Sequence, residues 1–147
     1  MRIEPILDPE SIDEDHIHVV AAIIWQSPRC DRFLIAQRQK GKHLEHYWEL
    51  PGGKIEPGES PWHALKREIA EEIDLQLVSG MPYLRVYYRY PERNVLLDTW
   101  WIESYRGEPR AMERQTLEWI GIEDRERYRF PPADEPILEA IRRNVTA

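Results

Sequence analysis

Three glutamates fall within five consecutive residues of the segment GGKIEPGESPWHALKREIAEEI, residues 52–73. In a helix, which turns about 100° per residue, Glu72 lies about 40° and Glu71 about 60° from Glu68, on either side of it. The three carboxylates then share one face, where the Glu68–Glu72 pair is destabilising by about 0.2–0.5 kcal/mol. Such a cluster is either a solvated acidic face or a set of ligands for a hard divalent cation, Mg²⁺ or Mn²⁺.

The residues around these glutamates favour the metal site over the solvated face. Ser60 is a natural N-cap and Pro61 a natural first helical residue, so a helix is predicted from this point. The acidic face borders the apolar stripe of that helix, where a strand or loop should partly cover it. The stripe consists of Trp62, Leu65, Ile69 and Ile73. Two glycines before the helix, Gly52 and Gly53, allow backbone carbonyls to come close to the cluster.

The remaining sequence predicts the strands that position this helix. Apolar runs at 17–25 and 32–38 flank the turn SPRCD and are predicted to form a hairpin. A short extended piece, WEL, stops at Pro51. Further strands are predicted at 83–90, 94–105 and 116–122, and a terminal helix at 134–145. The order of strands, helix, strands and helix predicts the α/β class, with a mixed sheet held between two helices.

Length and composition limit the function classes. With 147 residues, the chain is predicted to form one domain at 16–147, after an irregular lead-in at 1–15 that is rich in proline and acid. The formal charge of −7 argues against binding to duplex nucleic acid, which needs a basic face. No apolar run approaches the roughly 20 residues of a membrane span, and a single cysteine, Cys30, fits a reducing cytosol. We therefore expect a cytoplasmic monomer or homodimer that binds neither a membrane nor duplex nucleic acid.

The spacing of the acidic residues resembles the Nudix box. That pattern is Gly, five residues, Glu, seven residues, Arg-Glu, an aliphatic residue, one residue, Glu-Glu, one residue, Gly and an aliphatic residue. The matching positions here are Gly53, Glu59, Arg67, Glu68, Ile69, Glu71, Glu72 and Leu75. Asp74 replaces the second glycine, at a left-handed helix end that Asp tolerates better than most residues. The segments VVAAII, FLIAQR, WELPGGKIEPGES, RGEP and FPPADEP also resemble MutT-type Nudix hydrolases.

The resemblance implies an α/β/α sandwich and a pyrophosphohydrolase that uses Mg²⁺, or Mn²⁺, as its cofactor. The implied substrate is a small-molecule nucleoside triphosphate, (d)NTP, which is cleaved to (d)NMP and pyrophosphate, with oxidised nucleotides such as 8-oxo-dGTP included. Two alternatives stay open: a hydrolase of CTP or modified cytosine triphosphates, and a nucleotide-sensing module without catalysis. Sensing modules typically lose acids of the box, and this chain keeps Glu68, Glu71 and Glu72.

The resemblance also implies roles for single residues. The implied metal ligands are the backbone carbonyl of Gly52, the carboxylates of Glu68, Glu71 and Glu72, and a loop glutamate, Glu113, with Glu118 as a weaker candidate. The candidate catalytic residues are Glu68 or Glu113 as general base, and Arg67, which with Glu59 orients the acidic cluster. Arg38 is a candidate contact to a phosphate or the base, and Lys54 a candidate contact to phosphate.

Asp134, in the segment FPPADEP, is the candidate for recognising the base. The 8-oxo-guanine-selective prototype of the resembling family carries Asn at the matching position, and Asn both donates and accepts. An ionised Asp only accepts, so it should favour an amino group such as cytosine N4 and meet O6 of 8-oxo-guanine unfavourably unless protonated. In the alternative interpretation Asp134 only caps the last helix, and the two roles are compatible.

Overall fold

A computed structural model of the chain describes residues 15–42 and 44–146. The predicted lead-in at 1–15 therefore lies outside the described residues, except for Asp15. No helix within these ranges combines the length and the apolar character that crossing a membrane requires. The elements are β1 (Ile17–Ile23), β2 (Phe33–Gln37), β3 (Trp48–Glu49), β4 (Gly52–Lys54), α1 (Pro61–Ile73), β5 (Gln76–Arg89), β6 (Asn94–Arg106), β7 (Leu117–Ile120) and α2 (Glu135–Thr146), with 3₁₀ helices at Ile122–Arg127 and Pro132–Asp134.

Within the described ranges the strands form two sheets. The first has four strands in the order β4-β1-β6-β5, and the second has three in the order β3-β2-β7. In the first sheet β1 runs parallel to β6, while the β1–β4 and β5–β6 pairs are antiparallel. The second sheet is antiparallel throughout. The predicted α/β class is confirmed, and the parallel pair at the centre makes the larger sheet mixed.

The predicted hairpin of the first two runs forms only next to its turn, where the Leu34 N–H donates to the Ile24 carbonyl at 3.0 Å and the Gln26 N–H donates to the Arg32 carbonyl at 2.8 Å. β1 pairs with β4 and β6, and β2 pairs with β3 and β7. The two runs share an isolated bridge between Trp25 and Phe33. Every residue from Val20 to Trp25 is at most 5% exposed. A strand that is buried on both faces lies inside a layered sheet, with partners that a short local turn does not supply.

Alternate residues of β1 and of the two positions after it enter two separate hydrophobic cores. Val20, Ala22 and Ile24 pack with the buried residues of α1, which are Ala64, Leu65, Ile69 and Ile73. Ala21, Ile23 and Trp25 pack in the core that contains Ile137, Leu138 and Ile141 of α2. The two helices therefore cover opposite faces of β1, which is the α/β/α sandwich that the resemblance implies.

Local signals place both ends of α1. The Ser60 hydroxyl accepts a hydrogen bond from the His63 N–H at 3.2 Å, and Pro61 is the first helical residue. Asp74 ends the helix in the left-handed region, with φ 58° and ψ 34°, and its N–H donates to the Ala70 carbonyl at 3.2 Å. The predicted role of Asp74 as the left-handed end is confirmed.

β5 begins seven residues before the predicted start at 83, at Gln76. Gly80 and Pro82 interrupt the apolar pattern there and hide the strand in the sequence. In the structure β5 forms the edge of its sheet, where a proline costs no ladder hydrogen bond on its outer side. The pairing with β6 shifts register near both residues, between Ser79 and Gly80 and between Pro82 and Arg85.

Candidate active site

The glycine pair on β4 brings α1 and the sheet together. Gly52 pairs with Ala21 and Gly53 with Val20 on β1. A Cβ built on Gly52 would lie 1.9 Å from the Val20 carbonyl oxygen, so no other residue fits against β1. A Cβ on Gly53 would lie 2.3 Å from Cδ of Glu68. The second glycine therefore leaves the space that the Glu68 carboxylate fills.

The Gly53→Ala substitution tests this packing. The added methyl group should displace the Glu68 carboxylate while β4 stays paired, since Gly53 is not in the left-handed region. We expect divalent-metal affinity and kcat to fall by about 10-fold, as for residues that orient ligands, measured by Mn²⁺ titration and steady-state kinetics. In a Glu68→Ala background the same change should add no further loss. A full additional loss there would show that Gly53 acts on the backbone and not through Glu68.

Arg67 of α1 ties the loop before the helix to the acidic cluster. Its guanidinium donates two hydrogen bonds to Glu59, from Nε to Oε2 at 2.7 Å and from Nη2 to Oε1 at 2.8 Å. Nη2 also donates to the Lys54 carbonyl at 3.2 Å. This bidentate contact, with a further bond from the Glu56 N–H, lowers the pKa of Glu59 to about 2. Glu59 is therefore ionised and holds Arg67 in one orientation.

The carboxyl groups of Glu68 and Glu72 lie one helical turn apart on α1. Glu68 Oε1 accepts from Arg67 Nη1 at 3.0 Å, yet burial raises its pKa. Burial, followed by the charges of Glu68, Glu113 and Glu49, raises the pKa of Glu72 to about 8. The metal-free pair therefore retains a proton at neutral pH, which a bound dication would release.

A cavity of about 420 Å³ opens beside this pair. Among its lining residues are Arg38, Gly52, Gly53, Lys54, Glu72 and Asp134. A smaller recess of about 30 Å³ contains Glu113 and shares Arg38, Glu49 and Glu72 with the larger cavity. The structure therefore brings the three predicted substrate contacts to one cavity, with Gly52 and Glu72 also in its wall and Glu113 in the adjoining recess.

A family model described as the NUDIX domain matches residues 16–141 of the chain. The chain belongs to the Nudix family. The 8-oxo-dGTP diphosphatase of Escherichia coli K12 is 34% identical over 113 residues, which are 77% of this chain and 88% of that protein. The CTP pyrophosphohydrolase of the same organism is 38% identical over 126 residues, which are 85% of this chain and 90% of that protein.

A solved structure agrees with the Nudix fold. It comes from work on MutT of Aliivibrio salmonicida and Vibrio cholerae and superposes with a TM-score of 0.76 at 30% sequence identity. The match covers 88% of this chain and 98% of that one. The chain is thus a hydrolase of the Nudix family with MutT-like architecture.

Nudix hydrolases use divalent metal cations, and the donors near the Glu68–Glu72 pair fit such an ion by their chemistry. All are oxygens, and the lack of a Cβ at Gly53 lets the Glu68 carboxylate pack directly against β4. Among the described residues, however, no three His, Cys, Asp or Glu side chains converge on one point. Glu71 is 60% exposed and lies 3.5 Å from Arg67, away from the cavity-lining set. To bind an ion with the pair, Glu71 has to turn away from Arg67.

Glu49 also lines the cavity, although the sequence predicted no role for it. Its Oε2 lies 2.6 Å from Arg38 Nη1, and burial raises its pKa in spite of this cation. The signal was an acidic residue inside the apolar segment WEL, directly before the glycine pair. Glu118, the weaker metal candidate, lies on β7 opposite Ile35, and its carboxylate accepts a hydrogen bond from the Tyr128 hydroxyl. This contact favours Glu113 over Glu118.

Asp134 lies in the cavity wall of this Nudix protein, in the 3₁₀ turn directly before α2. It is 7% exposed. Burial, and then the charge of Glu49, raises its pKa well above the ordinary value. A neutral carboxyl group donates one hydrogen bond and accepts others. A protonated Asp134 is the case that the sequence left open: it could serve a base edge much as Asn does, and the base preference stays a prediction.

Proposed function

We propose that this Nudix hydrolase cleaves nucleoside triphosphates to monophosphates and pyrophosphate, and that it removes oxidised nucleotides such as 8-oxo-dGTP. The observation that carries the proposal is the shared cavity. Its wall holds Arg38 and Lys54 for phosphates, Asp134 for a base, and Glu72 at the acidic side. Similarity to a protein named 8-oxo-dGTP diphosphatase supports the substrate class.

The proposed roles follow from charge and position. Arg38 and Lys54 provide positive charge for the triphosphate, and Glu49 holds the guanidinium of Arg38 at 2.6 Å. Arg67, fixed by Glu59, orients Glu68. The proposed metal ligands are the Gly52 carbonyl, Glu68, Glu71, Glu72 and Glu113. When bound, Mg²⁺ or Mn²⁺ would neutralise phosphate oxygens and lower the pKa of a water.

Glu68 and Glu113 are both proposed as the general base. Glu68 is held by Arg67 and has a pKa raised by burial, which brings it closer to the working pH of a base. Glu113 is exposed and lies in the recess beside Glu72, where water reaches it freely. Glu68→Gln and Glu113→Gln separate the two, since only the loss of the base should remove the acidic limb of the pH–kcat profile.

Hydrolysis in ¹⁸O-labelled water tests the proposed reaction directly. Attack at the β-phosphorus should place the label in pyrophosphate and leave the nucleoside monophosphate unlabelled, as read by mass spectrometry of both products. The non-hydrolysable analogue with a methylene bridge between the α- and β-phosphates serves as a control, because it should give no monophosphate. Label in the monophosphate, or orthophosphate as the first product, would contradict the proposal.

A second candidate substrate is CTP or a modified cytosine triphosphate. The E. coli relative that is 38% identical bears the name CTP pyrophosphohydrolase. Asp134 can serve cytosine N4 through its accepting oxygen. A panel of oxidised and ordinary triphosphates, with detection of pyrophosphate, ranks the two by kcat/KM. Binding of nucleotide without turnover across the whole panel would favour the sensing module instead.

A further inference from the structure

The loop at 107–116, between β6 and β7, closes over the C-terminal end of α1. The N–H of Arg110 donates to the Ile73 carbonyl at 2.9 Å, and the N–H of Met112 donates to the Glu72 carbonyl at 3.0 Å. Both carbonyls are among the last four of the helix, which have no partner within it. The loop is therefore bonded to the same helical turn that carries Glu72.

Gln115 adds a second connection, which uses both ends of its side-chain amide. Nε2 donates to the Glu72 carbonyl at 3.0 Å, and Oε1 accepts from the Glu113 N–H at 3.0 Å. One contact needs a donor and the other an acceptor. An inverted amide would set oxygen against oxygen and N–H against N–H, so the two partners together fix its orientation.

The backbone around Glu113 is shaped to make these contacts. Arg114 lies in the left-handed region at φ 61°, which is uncommon for a residue other than glycine. This turn brings the Gln115 side chain back to the Glu113 N–H. On the other side, Gln39 Nε2 donates to the Glu113 carbonyl. Both polar groups of the Glu113 peptide backbone are therefore held, although its side chain is exposed.

We propose that Gln115 is a positioning residue, which fixes Glu113 relative to Glu72 so that the loop carboxylate enters the recess beside α1. The recess contains Glu72, Glu113 and Gln115 itself. The inference rests on the proposed role of Glu113 in the active site. The side chain at this position must donate a hydrogen bond to α1 and accept one from the loop. Among side chains of this length only the glutamine amide does both.

Two substitutions at Gln115 separate its contacts. Gln115→Met keeps the length and removes both hydrogen bonds, and Gln115→Glu keeps the acceptor for Glu113 and removes the donor to Glu72. We expect kcat to fall by about 10-fold in Gln115→Met, with the Mg²⁺ activation curve shifted to higher concentration and KM for nucleotide nearly unchanged. In Gln115→Glu the loss should be at least as large, because its carboxylate sets an oxygen against the Glu72 carbonyl and adds negative charge beside Glu72 and Glu113. Gln76→Met, at an exposed glutamine on β5, is the matched control and should match the wild type.

A double-mutant cycle shows whether Gln115 acts through Glu113. In a Glu113→Gln background, Gln115→Met should cause no further loss of kcat. Independently of activity, amide hydrogen exchange of the metal-free protein should accelerate at Glu113 in Gln115→Met and not in Gln76→Met.

Four outcomes would overturn the inference. Full activity of Gln115→Met beside an impaired Glu113→Gln would refute the positioning role alone. If Gln115→Met lowered kcat as much in the Glu113→Gln background as in the wild type, Gln115 would act independently of Glu113. Unchanged amide hydrogen exchange at Glu113 in Gln115→Met would show that Gln115 does not hold the Glu113 backbone. Full activity of Glu113→Gln would refute both this inference and the proposed role of Glu113, while the ¹⁸O result for the reaction would still stand.

Discussion

Glu72→Gln is expected to lower kcat by at least about 100-fold and to weaken Mg²⁺ and Mn²⁺ binding. The substitution removes a proposed oxygen ligand from the acidic cluster, where negative charge would accumulate in the transition state. Glu72 lines both the larger cavity and the recess of Glu113, and thus joins them. Steady-state kinetics at saturating Mg²⁺ and Mn²⁺ titration measure the two effects. Glu71→Gln should give a comparable loss if this exposed carboxylate turns from Arg67 to the metal.

The thermal stability of Glu72→Gln shows whether its loss of activity comes from a missing metal ligand or from a damaged fold. Burial raises the pKa of Glu72 to about 8, so the stability lost through its ionisation grows from the ordinary carboxyl pKa upward and the loss is complete above about pH 8. At about pH 9, metal-free Glu72→Gln should therefore unfold at a higher temperature than the wild type. Glu103→Gln, at an exposed glutamate of β6, removes the same formal charge and should change neither kcat nor metal binding. Unchanged turnover of Glu72→Gln would refute its assignment as a ligand.

Asp134→Asn is expected to change the base preference in a manner that depends on pH. Burial and Glu49 raise the pKa of Asp134, so the wild-type group donates a hydrogen bond below that pKa and loses the donor as the pH rises through it. Asn donates at every pH. The 8-oxo-dGTP to CTP ratio of kcat/KM should thus be similar in both proteins at low pH. At high pH it should be greater in Asp134→Asn, by roughly 5- to 150-fold for one hydrogen bond of about 1–3 kcal/mol.

Dividing kcat/KM for one substrate by kcat/KM for the other cancels the titration of the general base, because that group acts in both reactions. Asp124→Asn is the matched control, since Asp124 lies on the 3₁₀ helix Ile122–Arg127 outside the cavity-lining set. A lower melting temperature with an unchanged ratio at all pH values would show that Asp134 only caps α2.

The sequence predicts two kinds of feature well: those set by local contacts and those implied by the family resemblance. Ser60, Pro61 and Asp74 determine the ends of α1 through contacts within a few residues, and such signals are readable without a fold. The resemblance selects Arg38, Lys54 and Asp134, which lie far apart in sequence and line one cavity. Their roles are still predictions that await the experiments above.

What the sequence does not predict depends on tertiary burial. The partners of β1 lie up to 78 positions away, as between Ile17 and Val95, and an apolar run does not identify them. The raised pKa of Asp134 follows from its burial and then from the charge of Glu49, which only the folded chain brings close to it. In the sequence, Gln115 has no feature that distinguishes it from other loop residues. Only the structure shows that its side-chain amide bonds both the Glu72 carbonyl and the Glu113 N–H.

The parallel pairing of β1 with β6 has a consequence for the order in which the chain is made. The central pair of the sheet can form only after residues 95–101, the partners of residues 17–23, have been synthesised. The helix with the box glutamates, α1, leaves the ribosome before β6 and lacks part of the core that covers its apolar face, such as Ile102. Such non-local contacts form slowly and late in synthesis. A peptide of the Nudix box alone should therefore not adopt this geometry, because the core of α1 needs residues of β6, such as Ile102.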